Sequence, residues 1–286
     1  MRVSRNPNSA GSLLKTGERR AVAGVAVLFT LLYGTGWWAV GPVATVPALG
    51  ILLALLAALV LAGTRRLRGA LDEHLQQTQS LLYLQRHLDT DLPLPAFDRG
   101  ALFPDAAATL VGLIQTRRPR LILELGSGAS TLIAAHCLRR QGQGRLISLE
   151  HDPDFGAITR DNLARHRLQD LARVVDAPLE SVAVGGGTSR WYDRRSLASV
   201  DAPVDLLLVD GPPRRIQPLA RYPALPLLID RLAADAVILV DDANRADERE
   251  MVARWCREFP GFRVTHIATG EGTVLMQRSG DRSPNV

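Results

Sequence analysis

Lysine and cysteine are nearly missing from this sequence of 286 residues. Lys15 is the only lysine, so arginine supplies nearly all of the 34 basic side chains and the formal net charge of +5. The two cysteines, Cys137 and Cys256, each fall in a predicted amphipathic helix. We expect buried thiols there rather than a disulfide or a metal site, which suits a reducing cytoplasmic setting.

The sequence also lacks a basic run interleaved with aromatic residues, which is the pattern that a nucleic-acid-binding platform requires. Its arginines instead flank a long apolar block, so membrane orientation accounts for part of the positive charge. We therefore expect no nucleic-acid partner.

The apolar block divides into two stretches, 21–40 and 43–63, on either side of Gly41-Pro42. Each stretch is about 20 residues long, enough for a helix to cross a hydrocarbon core of about 30 Å. Trp37-Trp38 suits a membrane–water interface. A cleaved signal peptide would have a shorter apolar part, and a buried soluble hairpin would show a polar stripe. The pattern therefore predicts a transmembrane hairpin over residues 21–64.

Arginines set the predicted orientation of this hairpin. Arg19-Arg20 precede the first stretch and Arg65-Arg66-Arg68 follow the second, whereas the connecting turn carries no charge. The positive-inside rule then places both termini, and the domain that follows, on the cytoplasmic side of the cell membrane. Residues 1–20 are mostly polar and predict a flexible cytoplasmic tail.

Residues 65–95 are predicted to form an amphipathic stalk helix, over about 66–89, and a proline-containing linker. A leucine-rich face of this helix would suit self-association into a homo-oligomer. That face consists of Leu67, Leu71, Leu75, Leu81, Leu82 and Leu84.

Residues 96–280 alternate between strand-like and helical segments. Strands are predicted at 121–125, 145–150, 172–176, 205–210 and 236–241, and helices at 105–115, 130–141, 153–167, 222–233 and 246–259. This alternation predicts an α/β domain with a doubly wound, Rossmann-like and mostly parallel sheet. Two last strand-like runs, 262–268 and 273–277, are joined by a glycine-containing turn. They predict that an antiparallel strand closes a seven-stranded sheet.

The stretch 121–131, LILELGSGAST, organises this domain. An apolar run containing Glu124 leads into the turn Gly126-Ser127-Gly128, and Ser130 or Thr131 is predicted to cap the following helix. A strand, a glycine turn and a helix N-terminus in that order make a cradle for a nucleotide-like ligand. Thr131 stands where the dinucleotide-binding fingerprint has its third glycine, which argues against a dinucleotide.

Each predicted parallel strand ends in an acidic residue, at the sheet edge where doubly wound folds bind their ligands. These acids are Glu124, Glu150, Asp176, Asp210 and the pair Asp241-Asp242. Glu150 lies 22 residues beyond Gly128, where a carboxylate accepts hydrogen bonds from both hydroxyls of a ribose. Any one of these acids has an alternative interpretation as a strand-end cap, but five at matching strand ends indicate a nucleotide-like ligand.

Taken together, these residues resemble the class I S-adenosylmethionine-dependent methyltransferases over about residues 95–278. ELGSGAST is similar to the first motif of that family, with Ser130 at its frequent third glycine, and later strand ends are matched by SLEHD, VVDAPL, DLLLVDGPP and VILVDD. The terminal antiparallel strand is also a family trait. The resemblance implies a methyltransferase that uses S-adenosylmethionine as its cofactor.

The resemblance also implies roles for individual residues. The glycine turn would admit the methionine and ribose portions of the cofactor, Glu150 would hold the ribose hydroxyls, and Asp210 would stand at the edge of the methyl-transfer site. Asp176 and the backbone of Ala177 would contact the adenine. The full set of implied cofactor-binding residues is Glu124, Gly126, Ser127, Gly128, Ser130, Glu150, His151, Asp176, Ala177 and Asp210.

Asp210, Asp241 and Asp242 resemble, in addition, the metal-binding triad of the catechol-type O-methyltransferases. That triad normally ends in Asn, whereas this chain has Asp at the third place and Asn244 two residues on. Three carboxylates would suit Mg²⁺ or a similar hard cation and would make these residues catalytic. In the alternative interpretation, Asp241 and Asp242 only shape the pocket or pair with Arg245.

For two further segments, the sequence allows more than one interpretation. Residues 211–226 would form a proline-stiffened loop over the cleft, whose arginines receive an anionic substrate, form a solvated rim or pair with Asp241, Asp242 and Glu248. Residues 184–198 are predicted to be a mobile insertion, with Trp191-Tyr192 packed either on the substrate or on the sheet edge.

The sequence therefore predicts a membrane-anchored methyltransferase that acts on the oxygen of a small or lipid-linked acceptor. A nicotinamide-dependent oxidoreductase is an alternative, and both Thr131 and the antiparallel last strand argue against it. A non-catalytic membrane scaffold is a second alternative, against which the intact glycine and acid positions count.

Overall fold

The computed structural model of the protein describes residues 23, 24, 27, 30, 31, 42–88, 90, 92–95, 97 and 102–278. The predicted tail over residues 1–20 lies outside the described residues, as does most of the first predicted span over 21–40. The chain divides into two compact units, Met1–Asp72 and Glu73–Val286.

A single long helix, α1, runs from Pro42 to His87. It continues without interruption from the second predicted apolar stretch into the predicted stalk helix, and no proline lies within it after Pro47. Within the described part of the chain, one helix, over Gly50–His87, is long and apolar enough to cross a membrane by length and composition. Its most apolar stretch has a mean hydropathy of 1.8, and none of that stretch is buried.

In the second unit, the last turns of α1 pack onto the domain. Leu84 and Leu88 are buried against helix α2, which spans Pro104–Arg117. The buried Asp105 at the start of α2 accepts hydrogen bonds from Gln76 Nε2 and from the backbone N–H of Gly270, at 3.3 and 2.8 Å. Leu84 thus belongs to the domain core, whereas Leu67, Leu71, Leu75, Leu81 and Leu82 are exposed.

The second unit contains a seven-stranded sheet. Its strands are β1 (Leu121–Leu125), β2 (Arg145–Glu150), β3 (Ala172–Asp176), β6 (Val204–Val209), β7 (Leu232–Val240), β8 (Phe262–Ile267) and β9 (Thr273–Arg278). Their order across the sheet is β3-β2-β1-β6-β7-β9-β8. The helices of this unit are α2, α3 (Ala129–Gln141), α4 (Pro153–Arg165), α5 (Ala224–Leu228) and α6 (Ala246–Glu258). The neighbouring strands from β3 to β7 pair in parallel, whereas β9 runs antiparallel to both of its neighbours. This confirms the predicted mostly parallel sheet with an antiparallel last strand.

Alternation along β1 explains why this strand lies at the centre of the sheet. Leu121, Leu123 and Leu125 face one core cluster, whereas Ile122 joins the cluster on the opposite face. All five residues of β1 are buried, and the strand pairs in parallel with β2 on one side and β6 on the other. A strand that is apolar on both faces is stable only where helices or loops cover both sides of the sheet.

Two predictions about the helices differ from the structure. The helix predicted over 222–233 is reduced to α5 and a short 3₁₀ turn, because Pro226 removes a backbone donor and Leu232 already pairs with Val204 in the sheet. Helix α3 is capped by Gly128 rather than by Ser130 or Thr131. Thr131 lies in the first turn of α3, where its hydroxyl accepts a hydrogen bond from the Gly128 N–H at 3.0 Å.

The predicted mobile insertion over 184–198 is instead mostly ordered structure. Strands β4 (Leu179–Val184) and β5 (Gly187–Tyr192) form a separate antiparallel hairpin. Its two-residue turn, Gly185-Gly186, has positive φ angles of 60° and 78°, as tight hairpin turns require. Trp191 and Tyr192 are fully buried in the core. Their burial anchors the hairpin to the domain, in contrast to the predicted mobile insertion.

Candidate functional site

A cavity of about 630 Å³ opens at the carboxyl ends of the parallel strands. It lies beside β1 and β6, where the strand order reverses and doubly wound folds bind their ligands. Seven sequence-predicted site residues line it: Gly126, Ser127, Glu150, His151, Asp210, Asp241 and Asp242. The other lining residues are Phe103, Phe155, Tyr192, Gly211, Pro213, Arg214, Arg215, Arg221, Arg245 and Glu271.

The carboxylate of Glu150 is held firmly at one end of this cavity. Its Oε2 accepts hydrogen bonds from the backbone N–H and the hydroxyl of Ser127, at 2.8 and 3.0 Å. Its Oε1 accepts from the N–H of Asp152 at 2.9 Å and lies 3.0 Å from Nδ1 of His151. Although burial raises the pKa of Glu150, these hydrogen bonds outweigh it and lower the pKa below the ordinary value. Glu150 is therefore an ionised hydrogen-bond acceptor at neutral pH.

The turn after β1 lies against the loop after β6. Gly126 has a φ of +95°, which favours glycine, and a Cβ added at Gly211 would lie only 3.2 Å from the backbone nitrogen of Gly126. The Gly126 N–H donates to the carbonyl of Leu149, which holds the turn over β2. The glycine turn and Glu150 together form one end of the cavity, where the backbone can be approached closely and a carboxylate can accept hydrogen bonds from hydroxyl groups.

Glu124 and Ser130, both predicted to contact the cofactor, do not line the cavity. Glu124 is fully buried within β1, and its two carboxylate oxygens accept hydrogen bonds from the hydroxyls of Ser130 and Thr131. Burial raises the pKa of Glu124 to about 7, against the opposing effect of these hydrogen bonds. In this structure, Glu124 joins β1 to the first turn of α3 and so shapes the cradle from beneath.

Three other predicted residues also lie outside the cavity lining. Gly128 caps α3, and Ala177 is buried with its N–H donating to the carbonyl of Glu150 at 2.7 Å. The exposed Asp176 pairs with Arg160 of α4 at 2.9 Å. The backbone of Ala177 is therefore hydrogen-bonded to that of Glu150, whereas the carboxylate of Asp176 pairs with the guanidinium of Arg160.

The other end of the cavity holds a buried cluster of charged side chains. Carboxylate oxygens of Asp210, Asp241 and Asp242 lie within 4.8 Å of one another. Arg221, which is 4% exposed, donates through Nη2 to Asp210 at 3.2 Å and to Asp242 at 2.7 Å. Its Nη1 donates to the backbone carbonyl of Asp241 at 3.0 Å. Arg245 makes a second ion pair with Asp242 at 2.5 Å.

These contacts show which of the predicted roles of the 211–226 arginines applies to Arg221. Arg221 pairs with the aspartate cluster, and its Nε also lies 3.8 Å from Glu248 of α6. Arg214 and Arg215 line the cavity as exposed side chains, and neither makes an ion pair with another described residue. The loop thus supplies both a buried counter-ion and a basic rim.

Burial perturbs the ionisation of this cluster. It raises the pKa of Asp210 to about 6, although the neighbouring Arg221 acts in the opposite direction. Burial, together with repulsion from Asp210 and Asp242, raises the pKa of Asp241 well above its ordinary value. Asp242 adopts a left-handed backbone conformation with a φ of 61°, an uncommon state for a residue with a side chain. Such local strain is often concentrated at functional sites.

The arrangement does not fit a divalent cation alongside Arg221. Oxygen ligands from three carboxylates are the correct donor chemistry for Mg²⁺. However, the guanidinium of Arg221 already donates hydrogen bonds to two of these carboxylates. Its fixed positive charge would repel a cation placed between them. A metal ion would bind here only if Arg221 withdrew from its buried position.

Sequence reasoning missed several residues of the cavity. Phe103, Phe155 and Glu271 come from loops and helix starts whose position only the tertiary fold sets. Tyr192 was not missed, because the sequence placed Trp191-Tyr192 either on the substrate or on the sheet edge; the structure buries both side chains, and Tyr192 lines the cavity.

Residues 123–243 match the family model described as a methyltransferase domain, which confirms the predicted methyltransferase. No curated protein matches this sequence. A methyltransferase from Podospora anserina, solved with S-adenosylhomocysteine bound, shares 15% identity over 71% of this chain and 87% of its own, with a TM-score of 0.50. At this identity the likeness shows the fold alone.

Two further solved structures are similar over comparable lengths. The O-methyltransferase TomG from Streptomyces achromogenes shares 19% identity over 72% of this chain and 90% of its own, with a TM-score of 0.46. An O-methyltransferase from Bacillus cereus shares 20% identity over 71% of this chain and 90% of its own, with the same TM-score.

The buried Glu124 predicts a specific pH dependence of stability. Because its pKa is raised to about 7 in the folded protein, folding favours the protonated form, and this contribution is complete below about pH 4.5 and lost as the pH rises to about 7. Glu124→Gln should therefore lose less stability than wild type between pH 5 and pH 8, by an amount on the order of 2 kcal/mol. Thermal unfolding at the two pH values measures the difference.

The matched control is Glu250→Gln, which alters an exposed carboxylate of α6 in the same way. We expect this variant to follow the wild-type pH dependence. Equal pH dependence in wild type and in Glu124→Gln would contradict the raised pKa of Glu124.

Proposed function

We propose that this chain transfers a methyl group from S-adenosylmethionine to an oxygen atom of a small or lipid-linked acceptor, next to a membrane. The observation that carries the proposal is the cavity itself. It joins an ionised, firmly held Glu150 and a glycine cradle at one end to a buried aspartate–arginine cluster at the other. The methyltransferase domain over residues 123–243 gives this cavity its chemical context.

The cofactor would bind across the loops that follow β1 and β2. In this proposal Gly126, Ser127 and Gly128 accommodate its amino-acid and ribose portions, and Glu150 accepts hydrogen bonds from the ribose hydroxyls. His151 lies beside Glu150, and in this proposal it would face the adenosine. Asp176 and the Ala177 backbone remain proposed adenine contacts, and Glu124 and Ser130 support the cradle from below.

Asp210 is the proposed proton acceptor. When bound, S-adenosylmethionine supplies an electrophilic methyl group, so the protein has to align and deprotonate the acceptor oxygen. Asp210 lines the cavity and, at 16% exposure, is the most accessible of the three clustered aspartates. A pKa of about 6 leaves it ionised at neutral pH while keeping it close to the range of an effective base.

Asp241 and Asp242 would position Asp210 through Arg221. Arg221 contacts Asp210, Asp242 and the backbone of Asp241, so the guanidinium fixes the orientation of the base and offsets its charge. The exposed Arg214 and Arg215 at the rim favour an acceptor that carries an anionic group, such as a phosphate or carboxylate.

The membrane location is a proposal supported by composition. The exposed apolar part of α1 follows an almost uncharged stretch over residues 21–40, and arginines flank the two together. We propose two spans, over 21–40 and 43–63, with both termini and the methyltransferase domain on the cytoplasmic side.

Removal of the Glu150 carboxylate tests cofactor use. Glu150→Ala should weaken S-adenosylhomocysteine binding by about 10- to 100-fold, because it deletes the charged acceptor at the end of the cavity. Isothermal titration calorimetry of the detergent-solubilised full chain measures the Kd. Asp161→Ala, which removes an exposed carboxylate on α4, should bind as wild type does. Absence of binding to the wild-type protein would overturn the proposed function.

Metal addition and removal test the charged cluster. Because Arg221 supplies the cation in this cluster, neither EDTA nor millimolar Mg²⁺ should shift the unfolding temperature of the wild-type protein. A saturable stabilisation by Mg²⁺ that Asp241→Asn abolishes would instead support the predicted metal site. Differential scanning fluorimetry distinguishes the two results.

Membrane insertion is tested with charges placed in both proposed spans. The full chain should remain in the membrane pellet after a carbonate wash, and protease should reach its methyltransferase domain in inside-out vesicles alone. The combined changes Val27→Asp and Leu31→Asp in the first span and Leu56→Asp and Val60→Asp in the second should release the chain, because each central charge costs about 3 kcal/mol on insertion. Leu71→Asp, beyond the proposed span, is the matched control and should leave the chain in the pellet.

A further inference from the structure

The hydroxyl of Tyr192, a residue that lines the cavity, is buried and has no hydrogen-bond partner among the described residues. The rest of the side chain is fully buried as well. Buried polar groups in folded proteins are nearly always hydrogen-bonded, and an unpaired one costs stability. An exception at a cavity wall therefore indicates a partner that arrives with a ligand.

The position of this hydroxyl is set by the hairpin and by glycine. Tyr192 ends β5, where it pairs with Leu179, and its side chain is part of the cavity wall. A Cβ added at Gly211 would overlap the hydroxyl, and the same point lies 3.2 Å from the backbone nitrogen of Gly126. The hydroxyl is thus located at the junction of the glycine cradle and the loop that follows Asp210.

The phenol is suited to donate a hydrogen bond there. Burial, together with the nearby negative charge of Glu150, raises the pKa of Tyr192 well above its ordinary value, so the proton stays on the oxygen. The side chain has only two rotatable bonds, and the ring is packed edge-on against Trp191 at a centroid distance of 5.3 Å. A ligand would meet a hydroxyl that is already fixed in place.

We propose that Tyr192 is a cofactor-binding residue whose hydroxyl donates a hydrogen bond to a lone-pair atom in the ribose or amino-acid portion of the bound cofactor. This inference rests on the proposed function, because it assigns a further contact within the same cavity. The β4–β5 hairpin would then be an insertion that completes the cofactor site, in addition to filling the core.

The experiment compares Tyr192→Phe with wild type in the detergent-solubilised full chain. S-adenosylhomocysteine binding, measured by isothermal titration calorimetry, should weaken about tenfold because one buried hydrogen bond is lost. The unfolding temperature of the ligand-free variant should rise by about 2–4 °C, because the change removes a buried polar atom that has no partner. A hydroxyl with no role in cofactor binding would leave the Kd unchanged.

The matched control is Tyr222→Phe. Tyr222 belongs to the same core cluster, but its hydroxyl donates to Glu258 at 2.7 Å, and the side chain does not line the cavity. This variant should therefore unfold at a lower temperature and bind S-adenosylhomocysteine as wild type does.

The outcomes separate this inference from the proposed function. An unchanged Kd for Tyr192→Phe, or a lower unfolding temperature of that ligand-free variant, would overturn the role of Tyr192 while wild-type binding upholds the proposed function. A wild-type protein that binds no S-adenosylhomocysteine would overturn both.

Discussion

The buried guanidinium of Arg221 is the interaction on which the functional end of this domain depends. Asp210, Asp241 and Asp242 come from two neighbouring strand ends, and Glu248 adds a fourth acid from α6. So many carboxylates in one buried place would repel one another and remain largely protonated. Arg221 offsets that repulsion, so at least part of the cluster stays ionised beside the cavity.

The same arginine organises the surrounding chain. Its contacts tie the long loop after β6 to the end of β7 and to the first turn of α6. Loss of a single partner would leave a buried charge without compensation, which is far more costly than loss of an exposed ion pair. The loop therefore owes its position to electrostatics as well as to its prolines.

A second constraint is the contact between the glycine turn after β1 and Gly211 after β6. Because neither residue has a side chain, the two loops approach closely, and the cavity floor is formed by backbone and by Tyr192. The wall on the other side involves the turn that carries Glu271, whose neighbour Gly270 is held by Asp105. The last turns of α1 bind the same aspartate, so the helix contributes to the scaffold around the cavity.

Local patterns were enough to predict most of the sheet. The apolar runs of β1, β2 and β3 and the final hairpin lie where periodicity and glycine signals placed them. The acids at positions 150, 210, 241 and 242 also line one cavity, because the carboxyl ends of parallel strands necessarily share one edge of the sheet. Prediction failed over 222–233 and 184–198, where a proline and burial of Trp191-Tyr192 outweighed local propensity.

The sequence by itself determined the fold class, the glycine turn and the identity of the acids at the strand ends. Only the tertiary structure decided how those acids are used: Glu124 lies below the cradle, Asp176 pairs with Arg160, and Arg221 enters the aspartate cluster. The physical reason is that strand pairing follows from local alternation of side chains. The partner and burial of a charged side chain depend instead on residues far away in the chain, which the fold alone brings together.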